Sequence, residues 1–286
     1  MTTYAGSASA QAHPRPAHTE HHLGWLSDTV RISRQLGTPN TTAQVHPGKF
    51  TAAMMQAAQE QGAQLLLGRI TNLTQKAGRV TGVEVDGTII EGDAVVIAMG
   101  PWSVLAARWL PLPPVFGLKG HSLVFETGGE VPAEALFLEF QEARGSVHSP
   151  EVFPRADGTT YVCAISSESP VPLDPSEVAP DAGAIERLQA MCGSLSPILG
   201  KAKVVASQAC HRPVTQDGLP LIGRVPGVEG AYVATGHSVW GILNAPATGE
   251  AVAELIVDGE ARSVDLSPFD PRRLAPLDPA RLRIGG

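Results

Sequence analysis

The residues best suited to chemistry lie in two runs near the C-terminus. The first is Cys210-His211-Arg212-Pro213-Val214-Thr215-Gln216-Asp217-Gly218-Leu219-Pro220-Leu221-Ile222-Gly223, and the second is Gly236-His237-Ser238-Val239-Trp240-Gly241-Ile242-Leu243-Asn244-Ala245-Pro246-Ala247-Thr248-Gly249. In the first, Arg212 carries a guanidinium suited to bidentate pairing with a carboxylate; the alternative use is a surface ion pair. Cys210 stands two positions earlier, and residues two apart on a strand share a face. The second run follows Ala231 to Ala234, a short apolar stretch with the pattern of a buried strand. Gly236 ends that strand, and a helix is expected from about Gly241 to Val257. Such a strand delivers its loop onto a helix N-terminus, where free backbone N–H groups and the positive end of the dipole face a ligand. Gly236 and Gly241 would let a ligand approach the backbone.

The elements that position these runs sit in a chain of 286 residues, enough for one large or two modest domains. Hydrophobic residues at 43% against 17% charged fit a globular core, and a net charge of −7 argues against nucleic acid as a partner. No apolar run is long enough to span a membrane. Cys163, Cys192 and Cys210 have neither disulfide nor metal spacing, so no metal site is expected and an intracellular, cytoplasmic setting is. Residues 1–24 have the composition of a disordered tail. Its histidines, His13, His18, His21 and His22, are read as solvated, metal binding being the alternative.

Along the chain, a helix is expected after Pro47, with Phe50, Met54, Ala57 and Ala58 on one face and Gly62 as its stop. His46 before it is read as a cap. Gln64 to Leu67 and Arg69 to Gln75 are expected strands. Arg79 to Val85 and Thr88 to Glu91 form a hairpin over Asp86-Gly87. Asp93 to Gly100 is expected as a fully buried strand, with Pro101-Trp102-Ser103 opening a helix. Alternation predicts a strand over Gly117 to Glu126. Further strands are expected at Leu136 to Phe140, Ser146 to Phe153, Thr159 to Ile165 and Ala202 to Cys210, with a helix over Asp181 to Ser194.

The two C-terminal runs, together with the Ala98-Met99-Gly100-Pro101-Trp102-Ser103 segment, resemble the D-amino-acid oxidase superfamily, and glycine and sarcosine oxidases in particular. The resemblance implies an α/β fold, α+β overall: a partial FAD-binding domain over 25–115 and 210–262, an inserted, mostly antiparallel substrate domain over 116–209, and a C-terminal tail over 263–286. It implies FAD as cofactor, a small amine carrying a carboxylate as substrate, and oxidation of its C–N bond with hydride passing to flavin N5. Arg212 matches the position that holds the substrate carboxylate. Gly236, His237, Ser238, Trp240, Gly241, Ile242 and Leu243 match the loop on the flavin ring; Ile70, Gly100 and Trp102 match other cofactor contacts. Cys210 aligns with the segment in which monomeric sarcosine oxidases tether FAD. Glycine oxidase has a second Arg in the ring loop where this chain has Ser238, Val239 and Trp240, so a larger or secondary amine is expected instead of glycine.

One part of the pattern is missing. The superfamily opens with a strand, a GxGxxG turn and a helix that cradle the pyrophosphate, and no such motif occurs in this sequence. Three readings stand: a fragment of an ordinary enzyme, a half supplied by another chain, or a flavin-free interaction protein built on the remnant. The intact ring-loop motifs favour the first. FAD binding by this chain alone is expected to be poor, and the oligomeric state is left open.

Overall fold

The computed structural model describes residues 23–142 and 145–282. The expected N-terminal tail, with its histidine cluster, falls outside them except for Leu23 and Gly24, and Leu23 already packs on a core.

The largest sheet has five strands, and it carries the candidate site. Its order is β11 (Lys203–Val214), β5 (Phe116–Glu126), β10 (Thr159–Glu168), β9 (Glu151–Pro154) and β6 (Leu136–Phe137), with every pairing antiparallel. Two short strands, β7 (Phe140–Gln141) and β8 (Val147–His148), pair beside it. One face is covered by α2 (Ala184–Leu195) and α3 (Pro197–Lys201). Helix α2 buries Ala184, Leu188, Met191, Cys192 and Leu195, a stripe at helical spacing. These pack on Leu123, Phe125, Val152 and Val162, with Trp25 and Leu26 closing the cluster. Fully burying each Leu or Met contributes roughly 1.5–3 kcal/mol. The other face of the sheet carries Arg212 and Cys210. The expected alternation of β5 is not observed: Gly120 through Phe125 are all buried. As a central strand it has both faces covered, so both sets of side chains leave water.

A second core gathers around a smaller sheet of β12 (Leu221–Arg224), β13 (Ala231–Thr235) and β4 (Val95–Ile97), in which β13 and β4 are parallel. It includes Leu73, Val80, Ala106, Leu110, Leu112, Leu221 and Val233. The meander β1 (Ile70–Lys76), β2 (Arg79–Val85) and β3 (Thr88–Glu91) lies against it. The hairpin falls where expected. Val85 pairs with Thr88 across Asp86 and Gly87, both at positive φ, as a two-residue primed turn requires.

Three expectations are corrected here. Gln64 to Leu67 is not a strand; it has no pairing partner, and Leu67 is 89% exposed. Strand β4 is short and not fully buried, with Val96 36% exposed, because Val95 and Ile97 face the second core and alternation turns Val96 away from it. The segment after it, Gly100–Arg108, is a 3-10 helix and not an α-helix. Helix α1 (Pro47–Glu60) forms as read, with His46 Nδ1 accepting from Lys49 N–H at its start, yet it buries no residue. Helix α4 spans Gly241–Val257, the bounds the sequence predicts, and buries only Ala251 and Val252.

Candidate functional site

Two features converge on one side of the molecule. The first is the end of the parallel pair. Strands β4 and β13 run the same way, so the residues following each lie together at their C-terminal ends, where open α/β sheets bind ligands. Ser103 Oγ donates to Thr235 Oγ1 at 2.9 Å, and Thr235 Oγ1 donates to the Gly100 carbonyl at 3.0 Å. Gly100 and Gly236 are thereby fixed to each other's strand ends. Gly236 has φ +83°, and a Cβ there would stand 2.8 Å from Thr215 Cγ2, so no other residue fits. His237 Nε2 lies 3.0 Å from Thr248 Oγ1, pinning the loop to α4, and burial holds the imidazole pKa below its usual value. Trp102 Nε1 donates to the Pro172 carbonyl at 2.7 Å. Trp240, Ile242 and Leu243 present an exposed apolar rim at the start of α4, whose first turn has no side-chain cap.

The second feature is the face of the large sheet opposite α2 and α3. Register places Cys210 opposite Gly120, and Gly120 opposite Ser166. The Arg212 guanidinium extends over Gly120: a Cβ there would stand 3.0 Å from Cζ and Nη2. Arg212 Nη1 donates to Ser166 Oγ at 3.1 Å, and no carboxylate pairs with it among the described residues. Farther along, the Cys163 thiol donates to Glu151 Oε2 at 3.5 Å. Tyr161 hydrogen-bonds Ser122, and burial pushes its phenol up to about 12. His211, between Cys210 and Arg212, turns to the opposite face and meets Ser169 Oγ at 3.1 Å.

Of the residues the sequence singled out, Gly100, Trp102, Gly236, His237, Ser238, Trp240, Gly241, Ile242 and Leu243 cluster around the ends of β4 and β13, and Cys210 and Arg212 share the sheet face. Ile70 is elsewhere, exposed at the start of β1 in the meander. Sequence reasoning missed Gly120, Glu151, Ser122, Cys163, Tyr161 and Ser166. For Gly120 a signal exists: a glycine inside a strand marks close approach of another group.

This architecture, a parallel strand pair feeding a helix N-terminus beside a large antiparallel sheet, is shared with a solved oxidase structure. The chain is a member of the DAO family of FAD-dependent oxidoreductases, whose family model matches residues 15–255. It is 32% identical over 291 aligned positions to TDA3 of Saccharomyces cerevisiae, covering 87% of this chain and 54% of that protein. It is 33% identical over 204 positions to a glycine oxidase of Pseudomonas putida, covering 71% and 52%. The crystal structure of glycine oxidase from Geobacillus kaustophilus superposes with a TM-score of 0.66 at 29% identity, covering 77% of this chain and 56% of that one. The chain thus spans about half the length of these relatives. No helix among the described residues is long and apolar enough to cross a membrane.

The fit to FAD is uneven. The rim of Trp240, Ile242 and Leu243 suits the flat face of the ring, and the uncapped N–H groups of α4 suit acceptor atoms on its edge. For the pyrophosphate, the described residues offer no GxGxxG turn between a parallel strand and a helix.

Proposed function

We propose that this chain forms the substrate-binding and ring-facing part of an FAD-dependent oxidoreductase that oxidises the C–N bond of an amino acid or secondary amine carrying a carboxylate. One observation carries the reading: the guanidinium of Arg212, a half-buried residue, is held over Gly120 with the neutral Ser166 as its partner and no anion among the described residues. A guanidinium held in place without an anion of its own is free to take one from outside. A carboxylate accepts from guanidinium in bidentate fashion, and Ser166 holds one Nη in place for it.

The flavin, when bound, supplies the electron acceptor. The chain's own residues orient the substrate: Arg212 fixes the carboxylate, the sheet face excludes water from one side, and the Gly236–Leu243 loop would support the ring. Cys210, directly behind Arg212 on the same face, is the candidate for a covalent tether. Such a reaction needs little proton machinery, and orientation supplies much of the rate.

The test is a flavin-reconstituted preparation screened under anaerobic conditions against α-amino and N-alkyl amino acids, with flavin bleaching as the signal. Bleaching by a carboxylate-bearing amine, lost in Arg212→Ala with flavin content unchanged, supports the reading. Equal bleaching in Arg212→Ala removes it. A second reading, a flavin-free interaction module, draws on the unburied faces of α1 and α4. Absence of stoichiometric FAD under every reconstitution condition would favour that reading.

A further inference from the structure

The sheet face that carries Arg212 also carries one carboxylate. Glu151 pairs in register with Cys163, Cys163 with Ser122, and Ser122 stands two residues from Gly120 on β5. Opposed and alternate residues share a face, so Glu151 and Arg212 lie on the same side of the sheet. The thiol contact confirms the direction, since Cys163 lies between them and takes the influence of both charges. Glu151 is partly buried and has no cationic partner among the described residues. The face therefore presents an unpaired cation and an unpaired anion.

Their separation follows from the lattice of the sheet. With strands ~4.8 Å apart and ~3.4 Å per residue, the guanidinium over Gly120 and the carboxylate beside Cys163 stand roughly 10 Å apart. A hydrogen-bonded carboxylate at one end and a hydrogen-bonded ammonium at the other each take ~3 Å of that span. Roughly 3–4 Å remains for the substrate's own atoms by the same distances, the reach of an α-amino or α-imino acid and too short for a long-chain diamine or polyamine.

We infer that Glu151 is a second substrate anchor, holding the cationic nitrogen of a zwitterionic α-amino or N-alkyl amino acid whose carboxylate is held by Arg212. This rests on the carboxylate reading of Arg212 and extends it to the substrate's other end. Glu151 is a positioning and specificity residue; the arrangement selects zwitterions over simple acids.

The two anchors separate in a binding experiment on the full chain without flavin, read by ligand-detected NMR titration. The probes are proline and cyclopentanecarboxylate, rings of equal size that differ in the cationic nitrogen. The wild type is expected to bind proline about tenfold more tightly. Glu151→Gln, nearly isosteric and checked for folding by circular dichroism, should lower proline to the level of cyclopentanecarboxylate and leave the latter unchanged. Arg212→Met should weaken both. A proline preference that survives Glu151→Gln, or is absent from the wild type, overturns the role of Glu151 and leaves Arg212 standing. Equal binding of both probes by wild type and Arg212→Met overturns the carboxylate reading, as does no binding of either by the wild type, and the Glu151 inference falls with it.

Discussion

Arg212 and Gly120 act as a pair. The glycine leaves the space in which the guanidinium lies, so Gly120→Ala would place a methyl 3.0 Å from Cζ. The colliding group is the tip of a flexible side chain, so the fold should lose little, while the guanidinium must move off Ser166. The expected outcome is a melting temperature within a few degrees of wild type and carboxylate affinity reduced about tenfold, near the value of one charged hydrogen bond; titration with a small carboxylate checks it. The cysteines give a second prediction. Burial pushes the Cys163 thiol up to about 11 and Cys192 up to about 12, whereas Cys210 is exposed. Brief treatment of the folded protein with iodoacetamide should label Cys210 and spare the other two, as read by peptide mass mapping. Labelling of Cys163 at a comparable rate would mean that the sheet face opens in solution. Arg212 and Cys210 were legible in the sequence because they stand in one short run. Glu151, Ser166 and Gly120 were not: they come from three other positions in the chain, and only the register of β5, β9 and β10 brings them to one face.

At the scale of elements, the loop between β11 and β12 is locked from outside. Arg273, on a 3-10 turn of the C-terminal segment, grips Asp217 through Nε at 2.6 Å and Nη2 at 3.0 Å, and reaches the Leu219 carbonyl at 2.7 Å. Asp217 also accepts from Leu219 N–H at 3.1 Å. The guanidinium is the main cause that holds its carboxyl down at about 2, from an ordinary 3.8. A carboxyl depressed in the folded state stabilises fully above its unfolded pKa, and that stabilisation is lost as pH falls through the folded value. The window is therefore about pH 4 down to about pH 2, and the amount is on the order of 2 kcal/mol. Arg273→Met should remove most of it, flattening the pH dependence of denaturant midpoints across that window; an unchanged slope would show that the pair contributes nothing. The sequence predicted this loop from its Asp-Gly and Pro residues but not its lock, since a tail arginine more than fifty positions away carries no local signal. Local chemistry also explains the successes, the Asp86-Gly87 turn and the bounds of α4. It explains the failures as well. Leu65, Leu66 and Leu67 make a short apolar run of the kind a buried strand shows, but a strand needs a partner, and none is paired with them.

At the scale of the whole molecule, apolar surface is distributed unevenly. The large sheet and α2 enclose a closed core, whereas α1, the outer face of α4 and the free edge of β4 stay in water. Leu243 is 71% exposed and Trp240 60%, both on the rim assigned to the ring. Exposed apolar area of this kind marks a surface made to be covered. Helix α1 shows the energetic consequence most clearly. It has 14 residues, none buried, no acidic residue in its first turn and no basic residue in its last. An isolated helix of that length is marginal in water, because nucleation is costly and tertiary packing normally supplies the stability. Its backbone amides should therefore exchange within about tenfold of unprotected rates, while those of β5 and β10, central in the five-stranded sheet, exchange only on opening of that core. Hydrogen–deuterium exchange with peptide-level mass spectrometry resolves the two directly. Strong protection of α1 in the chain alone would mean that its apolar face is already covered in solution.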